Sequence, residues 1–364
     1  MILVTGATGL VGGGVLARLL AADRNLRVAV LVRDLRRWVT AAARLGVATD
    51  RVLPVVGDLL RPGLGLDVAT RARLQRELTA VVHAAADIVF SRPLDVARAT
   101  NVEGTRRVVE LAAACPEVRR LAFISTAFVA GRACGRIAER DNGADTGWVN
   151  AYEQSKYEAE QLVRAVGGAC EWVIFRPAAI VCDAPAGQIS QVNSVHLALR
   201  LLYHGLVPMI PGSDDAPIDV VTAEFVADAV ARLALHPDVA GRVLHLCAGA
   251  GALPLRGLFD LTWRTWAADP AWRRKDIAQP VIADLDTYAL FARSVEATAD
   301  EPLKRAMRSL SHFVPQLAHA KRFDTTEAEA ALGHAPPAVE TFWTQMSTHL
   351  LTVRWPELRR EEAA

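Results

Sequence analysis

Tyr152-Glu153-Gln154-Ser155-Lys156 carries the residue types for acid–base chemistry. On a helix, positions i and i+4 share a face, so the Lys156 ammonium would stand beside the Tyr152 hydroxyl. A phenol titrates near pH 10 in water, at about the value of a free tyrosine. A neighbouring cation favours the phenolate, which would let Tyr152 exchange a proton with a substrate oxygen near neutral pH. The spacing alone is common by chance. A second group upstream gives it weight. Leu121-Ala122-Phe123-Ile124-Ser125-Thr126 reads as a strand ending in two hydroxyls. There the Thr126 hydroxyl could hold a carbonyl oxygen while Tyr152 delivers the proton.

The N-terminus supplies a different chemistry. Thr5-Gly6-Ala7-Thr8-Gly9-Leu10-Val11-Gly12 stands between the apolar run Ile2–Thr5 and a helical pattern over Gly12–Ala22. The first glycine permits a tight turn, the second lets backbone approach a pyrophosphate, and the third lets helix pack on strand. The helix N-terminus then offers free N–H groups and a positive dipole end. Strand, glycine turn and helix in that order are the context that makes such a triplet a dinucleotide cradle. The second strand ends Leu31-Val32-Arg33, with Arg36 and Arg37 close by. Val32 stands where NAD enzymes place an acid, and guanidinium groups suit a 2′-phosphate, so the expected cofactor is NADP(H). Asp34 is the competing residue, since it could hold a ribose if the strand ran one residue further. Asp58, in Gly57-Asp58-Leu59, could accept from an adenine amino group. Ala84, Ala85 and Ala86 are small enough to let the chain pass close to the cofactor. His83, at a strand end, reads as packing.

These groups need a frame. Short β-rich runs at Ile2–Thr5, Arg27–Val32, Arg51–Val56, Ala80–His83, Leu121–Ile124 and Trp172–Phe175 alternate with helical patterns such as Asn101–Ala114. That alternation predicts an α/β, Rossmann-like doubly wound parallel sheet with helices on both faces. Residues 1–180 would form the dinucleotide-binding domain, with its sheet completed by 215–250. Residues 181–214 and 251–364 would form a smaller α/β substrate-binding part. There Asn193–His204 reads as a helix, Pro217–Val221 as one short strand and Ala223–Leu235 as a helix. Trp263, Trp266 and Trp272 read as core, the usual fate of aromatic clusters. The tail Glu361–Ala364 is expected to fray.

Composition excludes several classes. The 364 residues carry 41 Lys+Arg against 40 Asp+Glu, a net charge of +1. That balance speaks against nucleic-acid binding and against a polybasic membrane anchor. Five cysteines, odd in number and without a CxxC pair, fit neither a disulfide scaffold nor a Cys-type metal site. No metal is expected. No apolar run is long enough to span a bilayer, and Met1–Thr5 already reads as a core strand, so a cytoplasmic protein is expected.

TGATGLVG, GDL, HAAA, Asn101-x-x-Gly104-Thr105, ISTAFVAG and YEQSK, in this order, resemble the extended short-chain dehydrogenases/reductases. Arg176-Pro177 resembles the family's RP, where backbone near the nicotinamide is expected. The resemblance implies that Thr126, Tyr152 and Lys156 are catalytic, with Asn101 as a structural or proton-relay residue. It places Ser125, Pro177 and Ile180 at the cofactor alongside Thr5 to Gly12. STAFV and LVR look most like the fatty acyl-CoA reductase and thioester reductase branch, as does Lys321-Arg322-Phe323-Asp324-Thr325. The implied activity is NADPH-dependent reduction of an acyl thioester on CoA or a carrier protein. Alternatives are a ketone/alcohol oxidoreductase on a polyketide- or steroid-like molecule, a nucleotide-sugar enzyme, and a non-catalytic dinucleotide-binding regulator. Ala127, Phe128, Ile180 and the segment from Ser190 to Met209 are the expected pocket walls. A homodimer is compatible with this reading.

Overall fold

Seven of the apolar runs pair into one sheet in the computed structural model, which describes residues 1–140, 143, 145–166 and 168–352. The tail Glu361–Ala364 lies outside them. The strands are β1 (Ile2–Thr5), β2 (Val28–Val32), β3 (Val52–Val56), β4 (Ala80–His83), β5 (Arg120–Ile124), β6 (Glu171–Pro177) and β7 (Arg242–Leu246). All pairings are parallel, in the order β7-β6-β5-β4-β1-β2-β3. The order reverses between β1 and β4, so their carboxyl ends splay apart there and leave a crevice.

Strand alternation builds two cores. Ile2, Val4, Val28, Val30, Ala122 and Ile124 face one layer of helices. Leu3, Ala29, Leu31, Leu121 and Phe123 face the other. Central strands buried on both faces must be apolar at every position, which is why these runs show no polar alternation. The helices are α1 (Leu10–Ala22), α2 (Leu35–Leu45), α3 (Val68–Glu77), α4 (Leu94–Asn101), α5 (Glu103–Ala113), α6 (Ala151–Ala165), α7 (Ser194–Tyr203), α8 (Ala223–Leu233) and α9 (Leu255–Trp266). α1 and α8 pack together on the first face, and α5 and α6 supply Val108, Leu111, Ala159 and Val163 to the second. Their ends are fixed by local chemistry: Asp34 caps α2, Asn150 caps α6 and Asn193 caps α7.

A third core lies beyond the sheet's carboxyl edge. It joins Val181, Leu199, Leu202, Leu258, Trp266, Trp272, Phe342 and Met346. Trp263, Trp266, Trp272 and Tyr203 form an edge-to-face cluster within it, and Trp266 is fully buried. Each indole N–H finds a backbone carbonyl, at Ile277, Ser347 and Tyr203 respectively. The stretch 217–222 is two strands rather than one. Pro217–Ile218 pairs with Leu253–Pro254, and Val220–Thr222 pairs with Ala179–Cys182. Asp219 breaks the run because its half-buried carboxylate accepts from the N–H groups of Ala248 and Gly249. Lys321–Phe323 pairs with Gly135–Ile137, which brings the C-terminal region back beside α6. Among the described residues, no helix is long and apolar enough to cross a membrane.

Candidate active site

The crevice at the strand-order reversal opens into a cleft of ≈1960 Å³ that continues between α7, α9 and residues 308–321. Thr5, Gly6, Thr8, Gly9, Leu10, Val11 and Gly12 line one end, with Arg33, Arg37, Asp58, Leu59 and Ala84–Ala86. Ser125, Thr126, Tyr152, Lys156, Pro177 and Ile180 line its middle. Every residue predicted for the site is on this surface except Asn101.

The glycine turn is tight because it abuts backbone. Gly6 has φ +72°, and a Cβ there would lie 2.7 Å from the Ala85 nitrogen. At Gly12 a Cβ would lie 2.3 Å from the Gly6 oxygen and 3.2 Å from the Ala84 Cβ. The alanines after β4 are therefore small for the same reason as the glycines. Gly9 differs, since its nearest obstacle is 3.4 Å away. Its side is open to the cleft, which suits an approaching pyrophosphate. Thr5 and His83 lock this corner. The Thr5 hydroxyl accepts from Ala85 N–H at 3.2 Å and bonds His83 Nδ1 at 2.6 Å. His83 Nε2 meets the Thr105 hydroxyl at 3.0 Å, and that hydroxyl donates to the Asn101 carbonyl. This chain is satisfied by a neutral ring protonated at Nε2. Burial, with Lys156 nearby, pushes the His83 pKa down to about 3.

Beyond β2, Asp34 also lines the cleft, and one of its carboxylate oxygens caps α2 by accepting from Arg36 N–H at 2.8 Å. Arg44, which the sequence reading did not select, joins Arg33 and Arg37 on the cleft and donates to the Thr8 carbonyl at 3.0 Å. Arg37 and Arg44 are seven residues apart on one helix, a spacing that returns to the same face. Asp58 spends one oxygen on its own turn, accepting from Leu60 N–H. The turn thus combines open glycine backbone, a helix N-terminus and three guanidinium groups, donors that suit phosphate oxygens.

Thr126 and Tyr152 are buried at the junction of the cleft's two ends, where the Thr126 hydroxyl favours the Tyr152 phenolate. The Thr126 oxygen also accepts from Phe128 N–H at 3.3 Å. Lys156 Nζ donates to the Ile124 carbonyl at 2.8 Å and stands 4.0 Å over the Phe123 ring. Burial pushes Lys156 down to about 7, partly opposed by Glu160. Tyr152 moves up rather than down, to about 12. Burial is the main cause, Thr126 opposes it, and the neighbouring Glu153 adds to it. Desolvation of the phenolate outweighs the opposing influence of the Thr126 hydroxyl.

Asn101 is buried but faces away from the cleft. Its Oδ1 accepts from Asp87 N–H at 2.8 Å, and its Nδ2 donates to the Asp87 carbonyl and Ser155 Oγ, both at 2.9 Å. It fastens the loop after β4 to α6. Behind Ser125, Arg176 grips Glu160 through two bonds of 2.9 and 2.6 Å. Burial would raise Glu160, but Arg176 and the Ser125 hydroxyl hold it below the ordinary carboxylate value.

Phe90 and Phe313, unpredicted from sequence, join the expected wall residue Phe128 in shaping the space over Tyr152. The Phe90 ring lies 5.3 Å from Tyr152, 6.1 Å from Phe128 and 6.5 Å from Phe313. The cleft's far end is apolar, lined by Ile180, Leu199, Leu202, Ile210, Leu258 and Phe259. Ala127, Phe128 and residues 191–200 also line the cleft.

Comparison with known proteins agrees with this geometry. A family model for an NAD-binding family, described as male sterility protein, matches residues 4–230. An isonitrile lipopeptide synthase of Streptomyces coeruleorubidus is 34% identical over 224 residues, covering 57% of this chain and 15% of that protein. A putative fatty acyl-CoA reductase of Drosophila melanogaster is 27% identical over 270 residues, covering 62% of this chain and 50% of that protein. The chain thus spans half or less of these relatives' length. The crystal structure of the terminal R domain from the myxalamid PKS-NRPS biosynthetic pathway superposes with a TM-score of 0.78 at 25% identity, covering 98% of this chain and 91% of that one. With the parallel sheet and glycine turn already described, the chain belongs to the male sterility protein family of NAD(P)-binding, extended short-chain dehydrogenase/reductase proteins.

Proposed function

We propose that the protein is an NADPH-dependent reductase of acyl thioesters carried on CoA or a carrier protein. The observation that carries this is the Thr126–Tyr152 hydroxyl pair, buried between a dinucleotide cradle and an apolar arm. Residues 1–180, with the sheet completed by 215–250, hold the dinucleotide, and the remaining segments hold the substrate. Thr5–Gly12 receive the pyrophosphate, Arg33, Arg37 and Arg44 the 2′-phosphate, and Asp58, Leu59 and Ala84–Ala86 the adenosine side. Ser125, Pro177 and Ile180 border the nicotinamide. Bound NADPH supplies hydride.

Thr126 and Tyr152 hold the thioester oxygen and stabilise the charge that develops on it. A phenol whose pKa is pushed up to about 12 stays protonated at neutral pH, which is the form that can donate. Tyr152 gives its proton to that oxygen. The resulting hemithioacetal loses its thiol and leaves an aldehyde. Lys156, one helical turn on from Tyr152, holds and orients the nicotinamide ribose. Asn101 keeps the loop after β4 in register with α6. The apolar arm takes the acyl chain.

The test is NADPH oxidation against acyl-CoAs, free aldehydes and ketones, in wild type and Tyr152→Phe. Turnover of acyl-CoA should fall at least 100-fold in the variant, on the scale of losing an oxyanion donor, while NADPH binding persists. Near wild-type turnover in Tyr152→Phe sinks the assignment. Oxidation with ketones alone moves the reading to a ketone/alcohol oxidoreductase.

A further inference from the structure

The chain has four lysines, and two of them, Lys156 and Lys321, are buried on the cleft. The reaction just described uses only the first. Lys321 opens the short strand that pairs with Gly135–Ile137, far from Tyr152 in sequence. Its side chain turns inward. Nζ donates to Gln316 Oε1 at 2.8 Å and to the His319 carbonyl at 2.9 Å. Gln316 passes the contact on, donating through Nε2 to Glu153 Oε1 at 2.6 Å.

Glu153 is the residue after Tyr152 and is fully buried. Its carboxylate accepts from Val149 N–H and Asn150 Nδ2, both at 2.9 Å, closing the first turn of α6. Asn150 in turn donates to the His312 carbonyl at 3.1 Å. Residues 312–321 are thereby fastened to the start of α6 at two points, and Phe313 between them faces Phe90 over Tyr152. Burial raises the Glu153 carboxyl, and its hydrogen-bond donors and a nearby cation oppose that rise by favouring the charged form. No lysine or arginine on α6 itself bonds Glu153, and the cation comes from Lys321 by way of the amide.

We propose that Lys321 is a positioning residue for Tyr152: through Gln316 it balances the Glu153 carboxylate, so that the phenol lies beside a compensated pair and the Phe313 segment stays docked on α6. The inference rests on the reading of Tyr152 as the proton donor. The charged and titratable groups around Lys321 are Glu153, Cys134 and His319, with Arg132 beyond His319. Those around Tyr152 are Thr126 and Glu153. Burial is the largest influence on all three groups, raising Tyr152 and Glu153 and lowering Lys321 to about 8; against it, Lys321 and Glu153 each favour the other's charged form, and the Glu153 charge adds to the rise at Tyr152. An unbalanced Glu153 would make the phenol a still weaker acid.

A double-mutant cycle tests this, with whichever carbonyl compound the wild type reduces, so that a wrong thioester assignment leaves it intact. Lys321→Met keeps the apolar stem and removes the charge. It should lower kcat about tenfold, within the range of coupled neighbours, with the Kd for NADPH unchanged. Adding Glu153→Gln removes the anion as well, and Glu153→Gln/Lys321→Met should recover kcat to within threefold of wild type. A fastening role alone predicts a double variant as slow as Lys321→Met or slower, and that result overturns the proposal. Wild-type kcat in Lys321→Met overturns it too. If Lys321→Met fails to fold, as seen by circular dichroism, Glu153→Gln is compared with the double variant. There the loss of Lys321 must cost less than threefold, and a larger cost refutes charge balance. Tyr152→Phe, run in parallel, reports separately on the proton donor.

Discussion

Adding one methyl group at Gly12 perturbs the dinucleotide cradle by an amount the backbone fixes. The new Cβ would stand 2.3 Å from the Gly6 oxygen and 2.7 Å from the Gly6 carbonyl carbon. Ordinary contact begins at 3.4 Å, so the turn and the helix must separate by about 1 Å. Neither side is a flexible side chain, because Gly6 is itself wedged against Ala84 and Ala85. Overpacking of this kind costs about 1–3 kcal/mol of stability. The displaced turn should also forfeit at least one backbone hydrogen bond to a bound phosphate, worth about 1.5–3 kcal/mol for a charged partner. Gly12→Ala should therefore bind NADPH about 10- to 150-fold more weakly and melt earlier. Gly9→Ala is the control, since its methyl meets the Gly6 oxygen only at an ordinary contact distance of 3.4 Å, with negative φ. It should melt like wild type and lose affinity only through crowding of the ligand. Fluorescence titration with NADPH and a thermal melt read the two effects apart. An unchanged Kd in Gly12→Ala would refute the reading of the turn as a cradle held by close packing.

Two further outcomes follow from the site. Arg33→Ala should weaken NADPH by at least tenfold more than NADH, as expected for loss of a charge-assisted phosphate contact; equal losses would remove the 2′-phosphate role. Lys156 gives a pH signature of stability. Its folded pKa, about 7, lies below the ordinary 10.5, so protonation favours the unfolded chain. The penalty is full below pH 7 and is relieved as pH rises toward 10.5. Melting temperature should climb between pH 7 and 9, and Lys156→Met should flatten that climb; a variant with the wild-type slope would contradict the burial of the ammonium.

Local chemistry made half of this site readable. The glycine triplet, Thr126 at a strand end and the Tyr152–Lys156 spacing each express a constraint within a few residues. The strands were readable because a sheet covered on both faces tolerates no polar interruption. What escaped depends on distance or on solvent. Lys321, Gln316 and Phe313 reach α6 from about 160 residues away, and no spacing announces that return. Phe90 sits in a loop whose course is set by Asn101. The upward push on Tyr152 was not readable because sequence shows neighbours along the chain but not the water removed around them. Arg44 alone had a signal, its helical return to the face of Arg37.

The cleft volume has a kinetic consequence. A pocket for one small ligand occupies roughly 300–1,000 Å³, and this one exceeds it about twofold. Thr126 and Tyr152 stand between its ends rather than at the bottom of either. On the proposed reading, both reactants are resident together when hydride moves, and neither needs to leave before the other arrives. Initial rates measured over both concentrations then give converging reciprocal plots, not the parallel lines of a shuttle mechanism.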